Sequence, residues 1–373
     1  MKFLNDIKKK NLSGDVVLLR VDFNVENFSD ALRLRASVPT ILWLLKRKAR
    51  VVLLSHRGRP HGNGSRDISL SLQSAVPYLS KEIGQSVRFF DDFDFTTIGT
   101  AIRMSPPGSV SLLENLRFLP GEESNDPKLA KELASLGTMY VNDAFAVSHR
   151  KNASVAAITK YLPSCAGLLL EKEYKTLSRV MKDPMHPLVV VLGGAKVADK
   201  MGLIKNFWRK TDYFLLGGGI ANTVLKARGV DIKKSIYDPE YVAYGKKLLK
   251  SKKVIAPKDW LDQASPEGER IADVGPETVK EFSAVIKKAK TVIWNGPLGY
   301  FEDPRFAKGS MAVALSIAKS KAFSVVGGGE TTQLILSLGL EKKISFLSTG
   351  GGAMLEFLAG KKLQGIDALN GKR

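Results

Sequence analysis

The sequence predicts an α/β protein with parallel sheets, and three observations carry that prediction. Short apolar runs alternate with amphipathic helical stretches. The alternation occurs twice, with a polar-faced helix between the two halves. In the second half, strand after strand runs into a glycine-rich turn. Strand–helix alternation of this kind builds a parallel sheet covered on both faces. At 373 residues the chain is long enough for two domains, each with its own core.

In the first half, strands are expected at Val16–Arg20, Arg50–Leu54, Val87–Phe90, Val110–Leu113 and Met139–Asn142. Between the first two, Leu34, Val38, Ile41, Leu42 and Leu45 keep helical spacing and would bury one face. A second helix over Leu72–Ile83 stops at Gly84, where a helix-ending glycine belongs. Gly62–Ser65 (GNGS) reads as a mobile surface loop. From Glu171 to Lys182, EKEYKTLSRVMK reads as a helix closed by the stop signal Asp183-Pro184. The domain boundary is expected there.

In the second half, strands are expected at Leu188–Leu192, Tyr213–Leu216, Lys253–Ala256, Thr291–Trp294, Ser324–Val326 and Ser345–Leu347. The organising stretch is Leu188–Lys200, LVVVLGGAKVADK. Its five apolar residues suit a buried strand, and Gly193 and Gly194 allow a tight turn. Lys196, Asp199 and Lys200 then mark the start of a helix. A helix N-terminus after such a turn offers free N–H groups and a favourable dipole to an anion, and the lysines point to phosphate. Similar turns open at Gly217, Gly327 and Gly350, and Asn295-Gly296-Pro297 follows a fifth strand. Ligands of open parallel sheets bind outside the carboxyl ends of the strands, so these turns would line one crevice with backbone N–H groups. The chain has neither a G-x-G-x-x-G opening a helix nor a G-x-x-x-x-G-K-[ST] loop. A phosphate compound bound here is held differently.

Composition narrows the setting. Apolar residues at 44% and charged residues at 25% describe a globular chain. The single cysteine, Cys165, excludes an intrachain disulfide and a cysteine-rich metal site. No apolar run approaches the roughly 20 residues of a membrane helix, and the N-terminus lacks a signal-peptide centre, so a cytoplasmic protein is expected. The net charge of +20 would attract nucleic acid, acidic surfaces or anionic substrates. Most lysines fall on expected outer helix faces (Lys8–Lys10, Lys246–Lys253, Lys287–Lys290), and no basic stripe is interleaved with aromatics. Nucleic acid is therefore not the expected partner.

In the first half the strand ends carry basic and polar residues instead of glycines. Asp22 and Asn24 follow the first strand, and Arg33 precedes the first helix. His56 and Arg59 follow the second strand, Arg117 stands in LLENLRF, and His149-Arg150 close YVNDAFAVSHR. Guanidinium groups grip phosphate and carboxylate bidentately, so this set suits a small, highly anionic substrate. One half thus presents arginines and the other glycine turns. Two anionic ligands on facing domains that close together are what phosphoryl transfer requires.

With these residues laid out, the chain resembles phosphoglycerate kinase along nearly its whole length. The matching stretches are RVDFNV, SHRGRP, LLENLRF, YVNDAF, SHR, GGAKVADK, LLGGGIA, DVGP, WNGPLGYFE, FAKG, VGGGE and STGGGAMLEFLAGK. The resemblance implies two doubly wound parallel-sheet (Rossmann-like) α/β domains joined by a helix and closing on a hinge. It places an N-terminal phosphoglycerate-binding domain at 1–168, with the tail 361–373 packing back on it. A linking helix at 169–184 and a C-terminal nucleotide-binding domain at 185–360 follow. The implied reaction is reversible phosphoryl transfer between 1,3-bisphosphoglycerate and Mg-ADP, giving 3-phosphoglycerate and Mg-ATP, by a monomer.

Carried over by position, Asp22, Asn24, Arg33, His56, Arg59, Arg117 and Arg150 are the implied phosphoglycerate site. Arg33, Lys196, Gly328 and Gly351 are the implied catalytic groups, stabilising the transferring phosphoryl. Gly193, Gly194, Lys196, Lys200, Gly218, Asn295, Pro297, Glu302, Gly327, Gly328, Gly329, Glu330 and Thr331 are the implied nucleotide contacts, with Glu302 facing the ribose. Glu330 is also the implied ligand of Mg²⁺, where the family usually has aspartate. Other departures are Asn152 in place of a common histidine, a shortened Val25–Leu32 with Leu32 for the usual threonine, and a compressed Ser251–Ile271. Two other readings are weaker. A repurposed relative that binds an anionic partner such as RNA rests on charge alone, and a nicotinamide-dependent dehydrogenase lacks its fingerprint.

Overall fold

The computed structural model describes residues 1–7, 11–28, 32–60, 67–264, 266 and 268–371. Lys8–Lys10, the Gly62–Ser65 loop and residues 29–31 of the shortened segment lie outside the described residues. The chain forms two compact units: Met1–Lys175 with Lys362–Arg373, and Thr176–Lys361.

Unit 1 is a six-stranded parallel sheet in the order β3-β4-β2-β1-β5-β6. Its strands are β1 (Val16–Arg20), β2 (Arg50–Leu54), β3 (Val87–Phe90), β4 (Val110–Leu113), β5 (Met139–Asn142) and β6 (Ser164–Ala166). The helices α1 (Leu32–Leu45), α2 (Val76–Ile83), α3 (Phe95–Met104) and α4 (Pro127–Ser135) connect them. Every residue of β1 is buried, as expected of a strand covered on both faces. The first five strands coincide with the apolar runs of the sequence. The sixth, Ser-Cys-Ala, is too short and too weakly apolar to stand out.

Two helix expectations need correction. On α1 the buried stripe runs Leu34, Ser37, Val38, Ile41 and Leu44, while Leu42 is 43% exposed. At 100° per residue Leu42 falls off the edge of the stripe, and Leu44 takes the place the pattern gave it. Leu72–Ile83 is also not one α-helix. A 3₁₀ turn, Leu72–Ala75, precedes α2, because Pro77 has no N–H to offer the Gln73 carbonyl. Gly84 does end α2, in the left-handed conformation at φ 73°.

The helix α5 (Leu168–Lys182) begins one residue before the expected linking helix and stops two residues short of its expected end, at Asp183-Pro184. Its N-terminus is capped by Asp143, whose Oδ1 accepts from the N–H groups of Leu169 and Leu170 at 2.8 and 3.2 Å.

Unit 2 repeats the architecture with the order β14-β13-β12-β7-β8-β9, again all parallel. Its strands are β7 (Leu188–Leu192), β8 (Tyr213–Leu216), β9 (Val254–Ile255), β12 (Thr291–Asn295), β13 (Phe323–Gly327) and β14 (Phe346–Leu347). The helices are α6 (Val197–Phe207), α7 (Gly218–Arg228), α8 (Val242–Leu248), α9 (Pro276–Lys288), α10 (Lys308–Lys319), α11 (Gly329–Ser337) and α12 (Gly352–Leu358). One pair of strands was not legible beforehand: β10 (Trp260–Gln263), inside the compressed region, pairs antiparallel with β11 (Arg270–Val274) at its end. The last helix, α13 (Gln364–Asn370), belongs to unit 1. There Leu363, Ile366 and Leu369 are buried, and the Gly365 N–H donates to the Ser148 carbonyl at 2.7 Å.

Both sheets reverse their strand order beside their first strand, between β1 and β5 in unit 1 and between β7 and β12 in unit 2. Loops leaving the two strands at such a point diverge and open a crevice. Apolar residues on both faces of each sheet, such as Val17 and Leu18 in β1 and Val189 and Val190 in β7, lock the strands in place, each fully buried Val, Leu or Ile contributing ~1.5–3 kcal/mol.

Candidate active site

In unit 1 the charged residues gather at the carboxyl ends of β1, β2 and β4. Arg33 is in the first turn of α1, not ahead of it. Its Nη1 lies 3.0 Å from Asp22 Oδ2 and donates to the Asn24 carbonyl at 3.1 Å. Asn24 Oδ1 accepts from the Gly58 N–H at 2.8 Å, which joins the β1 loop to the β2 loop. Asn115, after β4, takes the N–H groups of Arg57 and Arg117 on its Oδ1, both at 3.1 Å, and so ties in the third loop. Arg117 Nε is 3.1 Å from the exposed carboxylate of Glu123. Arg59, Arg117, Glu123, Arg150, Lys151 and Asn152 line one depression, which brings three of the expected basic residues together.

His56 is buried, with its Nδ1 3.9 Å from Asp22 Oδ1. Burial, reinforced by the charges of Arg20, Arg117 and Arg33, holds its imidazole well below the ordinary range. It is neutral at neutral pH. Of the expected set, Arg59, Arg117 and Arg150 share the depression, while Asp22 and His56 are buried, with Arg20 buried beside His56. Nothing singled Arg20 out beforehand except that a guanidinium closes the otherwise apolar strand VVLLR.

In unit 2 the turns after β7, β8 and β12 nest into one another. The N–H groups of Gly193 and Gly194 donate to the carbonyls of Asn295 and Pro297 at 3.0 and 2.7 Å. Gly218 donates to Leu298 at 2.9 Å and Gly219 to Gly194 at 3.0 Å. These donors are spent on the turns themselves, which corrects the expectation that they face an anion. Glycine is needed for close approach: a Cβ on Gly193 would stand 2.0 Å from the Pro297 carbonyl oxygen. Asn295 and Thr331 are likewise inward-facing. Asn295 Nδ2 donates to the Gly327 carbonyl at 2.9 Å, and the fully buried Thr331 accepts the Gly296 N–H on its Oγ1 at 2.8 Å. Gly327 is the last residue of β13, not part of a turn.

The nested turns wall a cleft with about 730 Å³ of empty volume, part of it open to solvent. Of the expected residues, Gly194, Gly218, Pro297, Glu302 and Glu330 line it. Asn222, Ile236, Trp260 and Ile271, which no motif marked, and Tyr300 of the WNGPLGYFE stretch help to supply its mostly apolar remainder. Trp260 and Ile271 reach it through the β10–β11 pair. At the rim, Lys200 Nζ and Glu330 Oε2 lie 3.4 and 3.9 Å from where a Gly194 Cβ would stand. Burial lowers the Lys200 ammonium from its ordinary value, and Asp199 and Glu330 oppose that shift. Lys196, just ahead of α6, is exposed. Gly328 and Gly351 immediately precede α11 and α12, whose first N–H groups have no acceptor within their own helix. The donors in this unit that the nested turns do not use include the starts of α11 and α12 and the lysines.

An apolar slot ending in lysines and helix N-termini fits a base, a sugar and a row of phosphates. A concavity of arginines fits a small polyanion. The sequence pattern described as phosphoglycerate kinase matches residues 5–361. The chain is 41% identical to a phosphoglycerate kinase of Moorella thermoacetica, over 98% of this chain and 99% of that one. It is 42% identical to the one of Thermomicrobium roseum, over 95% and 96%. Its fold is similar to the solved phosphoglycerate kinase of Coxiella burnetii, with a TM-score of 0.84 at 36% identity, covering 99% and 98% of the two chains. The Pyrococcus horikoshii structure gives a TM-score of 0.86 at 31% identity with the same coverage. Fold and similarity over nearly the whole chain agree, and the chain belongs to the phosphoglycerate kinase family.

Proposed function

We propose that unit 1 holds 3-phosphoglycerate and unit 2 holds ATP, and that the two units close on a hinge to bring the ligands together. As a member of its family the chain is a phosphotransferase with a carboxyl group as acceptor. In the direction of ATP formation the acyl phosphate of 1,3-bisphosphoglycerate gives its phosphoryl group to ADP. Arg59, Arg117 and Arg150 take the substrate phosphate, while Arg33, steadied by Asp22, meets the carboxyl end. In the nucleotide unit the apolar slot takes the base, Glu302 faces the ribose, and Lys200 with the starts of α11 and α12 takes the phosphates. Lys196 and Arg33 bear on the transferring group as its charge spreads over three oxygens. No general base is required, because the attacking oxygen is already an anion. The observation that carries this reading is that each unit gathers its own charge pattern at the strand carboxyl edge.

Magnesium fits the nucleotide unit only in company with a nucleotide. Among the described residues no three His, Cys, Asp or Glu side chains converge as a metal cage. Glu330, exposed in the first turn of α11, offers one hard oxygen ligand at the cleft rim. One carboxylate plus substrate phosphates is how Mg²⁺ is usually held, and the ion would offset charge on the nucleotide. Glutamate is one methylene longer than the usual aspartate. Glu330→Asp is expected to keep Mg-dependent activity, and Glu330→Ala to raise the Mg²⁺ requirement about 10- to 100-fold. An unchanged requirement removes Glu330 from the metal. The reaction itself is tested by ATP consumption with Mg²⁺, with and without 3-phosphoglycerate. Dependence on the acceptor is expected; its absence from a folded, nucleotide-binding protein overturns the assignment. The cytoplasm and a monomeric state complete the reading.

A further inference from the structure

Behind the arginines of unit 1 lies a layer of buried charge that the proposed reaction does not use. Arg20, at the end of β1, is 1% exposed. Its Nε donates to Ser154 Oγ at 2.9 Å, its Nη1 to the Val21 carbonyl, and its Nη2 contacts His56 Nδ1 at 3.2 Å. Ser154 Oγ passes the chain on to Glu122 Oε1 at 2.6 Å, and the Ser154 N–H donates to Glu122 Oε2 at 2.9 Å. Glu122 is fully buried, so it serves as the internal counter-charge of Arg20. The Tyr140 hydroxyl donates to the Ser154 carbonyl at 2.8 Å and holds that residue still.

A guanidinium has only donors and does not lose its proton in a protein. His56 Nδ1, facing it, must therefore present a lone pair, and the ring proton resides on Nε2. Asp22 Oδ1, 3.9 Å from Nδ1, is too far to compete. The remaining ionisable groups that bear on the ring are Arg33 and Arg117, both cations, which also disfavour an imidazolium. His56 Nε2 is buried and has no hydrogen-bond partner among the described residues.

We infer that Arg20 is a positioning residue which, braced by Ser154 and Glu122, fixes His56 as a neutral imidazole donating through Nε2. The role rests on the place of His56 in the acceptor site proposed above. His56 then offers a substrate oxygen a directed hydrogen bond and no charge, so it adds no pH dependence of its own to acceptor binding across the usual histidine range.

Long-range ¹H–¹⁵N NMR of the ¹⁵N-labelled full chain tests this from about pH 5 to 8, where an unperturbed histidine titrates. The expected result is a pyridine-type Nδ1 and a pyrrole-type Nε2 throughout. A protonated Nδ1, or an imidazolium within that window, overturns the inference. The double substitution Arg20→Met with Glu122→Gln removes both buried charges, so neither is left unpaired. It is expected to mix the tautomers, to raise KM for 3-phosphoglycerate about tenfold with kcat little changed, and to give KM a new pH dependence. A double variant that keeps the original nitrogen pattern and KM profile overturns the role of Arg20. Should it fail to fold, Ser154→Ala, which severs Arg20 from Glu122, is read by the same signals and with the same criteria. If the nitrogen pattern holds but 3-phosphoglycerate leaves Nε2 unmoved, His56 leaves the acceptor site and the tautomer assignment stands.

Discussion

Unit 1 holds its candidate anion site with side-chain charge, whereas unit 2 shapes its own with backbone. In unit 1 the guanidinium groups come with counter-charges already in place: Asp22 on Arg33, Glu123 on Arg117, and Glu122 behind Arg20 through Ser154. Like charges crowded at one sheet edge would repel, and the carboxylates make the crowd tolerable until a substrate arrives. In unit 2 glycines let three loops interlock, and the resulting slot is mostly apolar, with Lys200 next to Gly194 in its wall. A small ligand that is nearly all charge is recognised by charge; a nucleotide, with its large flat base, is recognised by fit. The two sheets share one architecture, so the difference lies in the residues placed after the strands.

The sharpest way to break this comparison is at Lys196, the exposed cation of the shape-built unit. Lys196→Ala is expected to lower kcat about 10²- to 10³-fold while the thermal unfolding curve stays in place. Near-normal turnover would mean that the transferring group is stabilised by unit 1 and the helix starts alone.

Each unit also buries one aspartate whose carboxyl is pushed up to about 6 by burial, Asp143 in unit 1 and Asp273 in unit 2. An unfolded aspartate ionises near 3.9. Between about pH 4 and 6 the folded chain therefore holds the extra proton, so these groups make stability fall as pH rises through that window. Asp143→Asn keeps an oxygen to accept from Leu169 and Leu170 but cannot ionise. Urea unfolding should show the variant gaining on the original chain by up to about 3 kcal/mol across the window, with no further gain above it. A constant difference would mean that Asp143 is already charged at pH 4.

The fit of the turns is tested by Gly193→Ala. Its Cβ meets backbone rather than a movable side chain, so a loss of about 1–3 kcal/mol in stability and weaker ADP binding are expected by calorimetry, with 3-phosphoglycerate binding unaffected. Coupled loss at both ligands would deny the independence of the two sites. The smallest effect belongs to Glu123, 65% exposed beside Arg117. Glu123→Gln frees the guanidinium and should lower KM for 3-phosphoglycerate by no more than about fivefold, since an exposed pair is worth ~0–1 kcal/mol. A larger change would show that Glu123 actively gates the site.

Much of this molecule was legible before its structure. The limits of β1 to β5, β7 and β8 are those of the runs read from the sequence, because strands covered by helices are apolar along most of their length. The basic residues that the proposed function assigns to the ligands were also marked, as arginines at strand ends and lysines at a helix start. The tertiary structure alone decided how they are used. Glycine freedom is a local property, but where a glycine N–H points depends on which loop lies across from it. The β7, β8 and β12 turns are joined by bonds between residues 25 (Gly219 to Gly194) to 103 (Gly194 to Pro297) apart in the chain, and only their meeting consumes those donors. The same holds for β10 and β11, whose pairing brings Trp260 and Ile271 to the cleft. It holds also for Arg20, whose partners Ser154 and Glu122 lie more than a hundred residues away in the chain. Periodicity and composition are set by near neighbours along the chain, while hydrogen-bond partners and tautomers are set by neighbours in space.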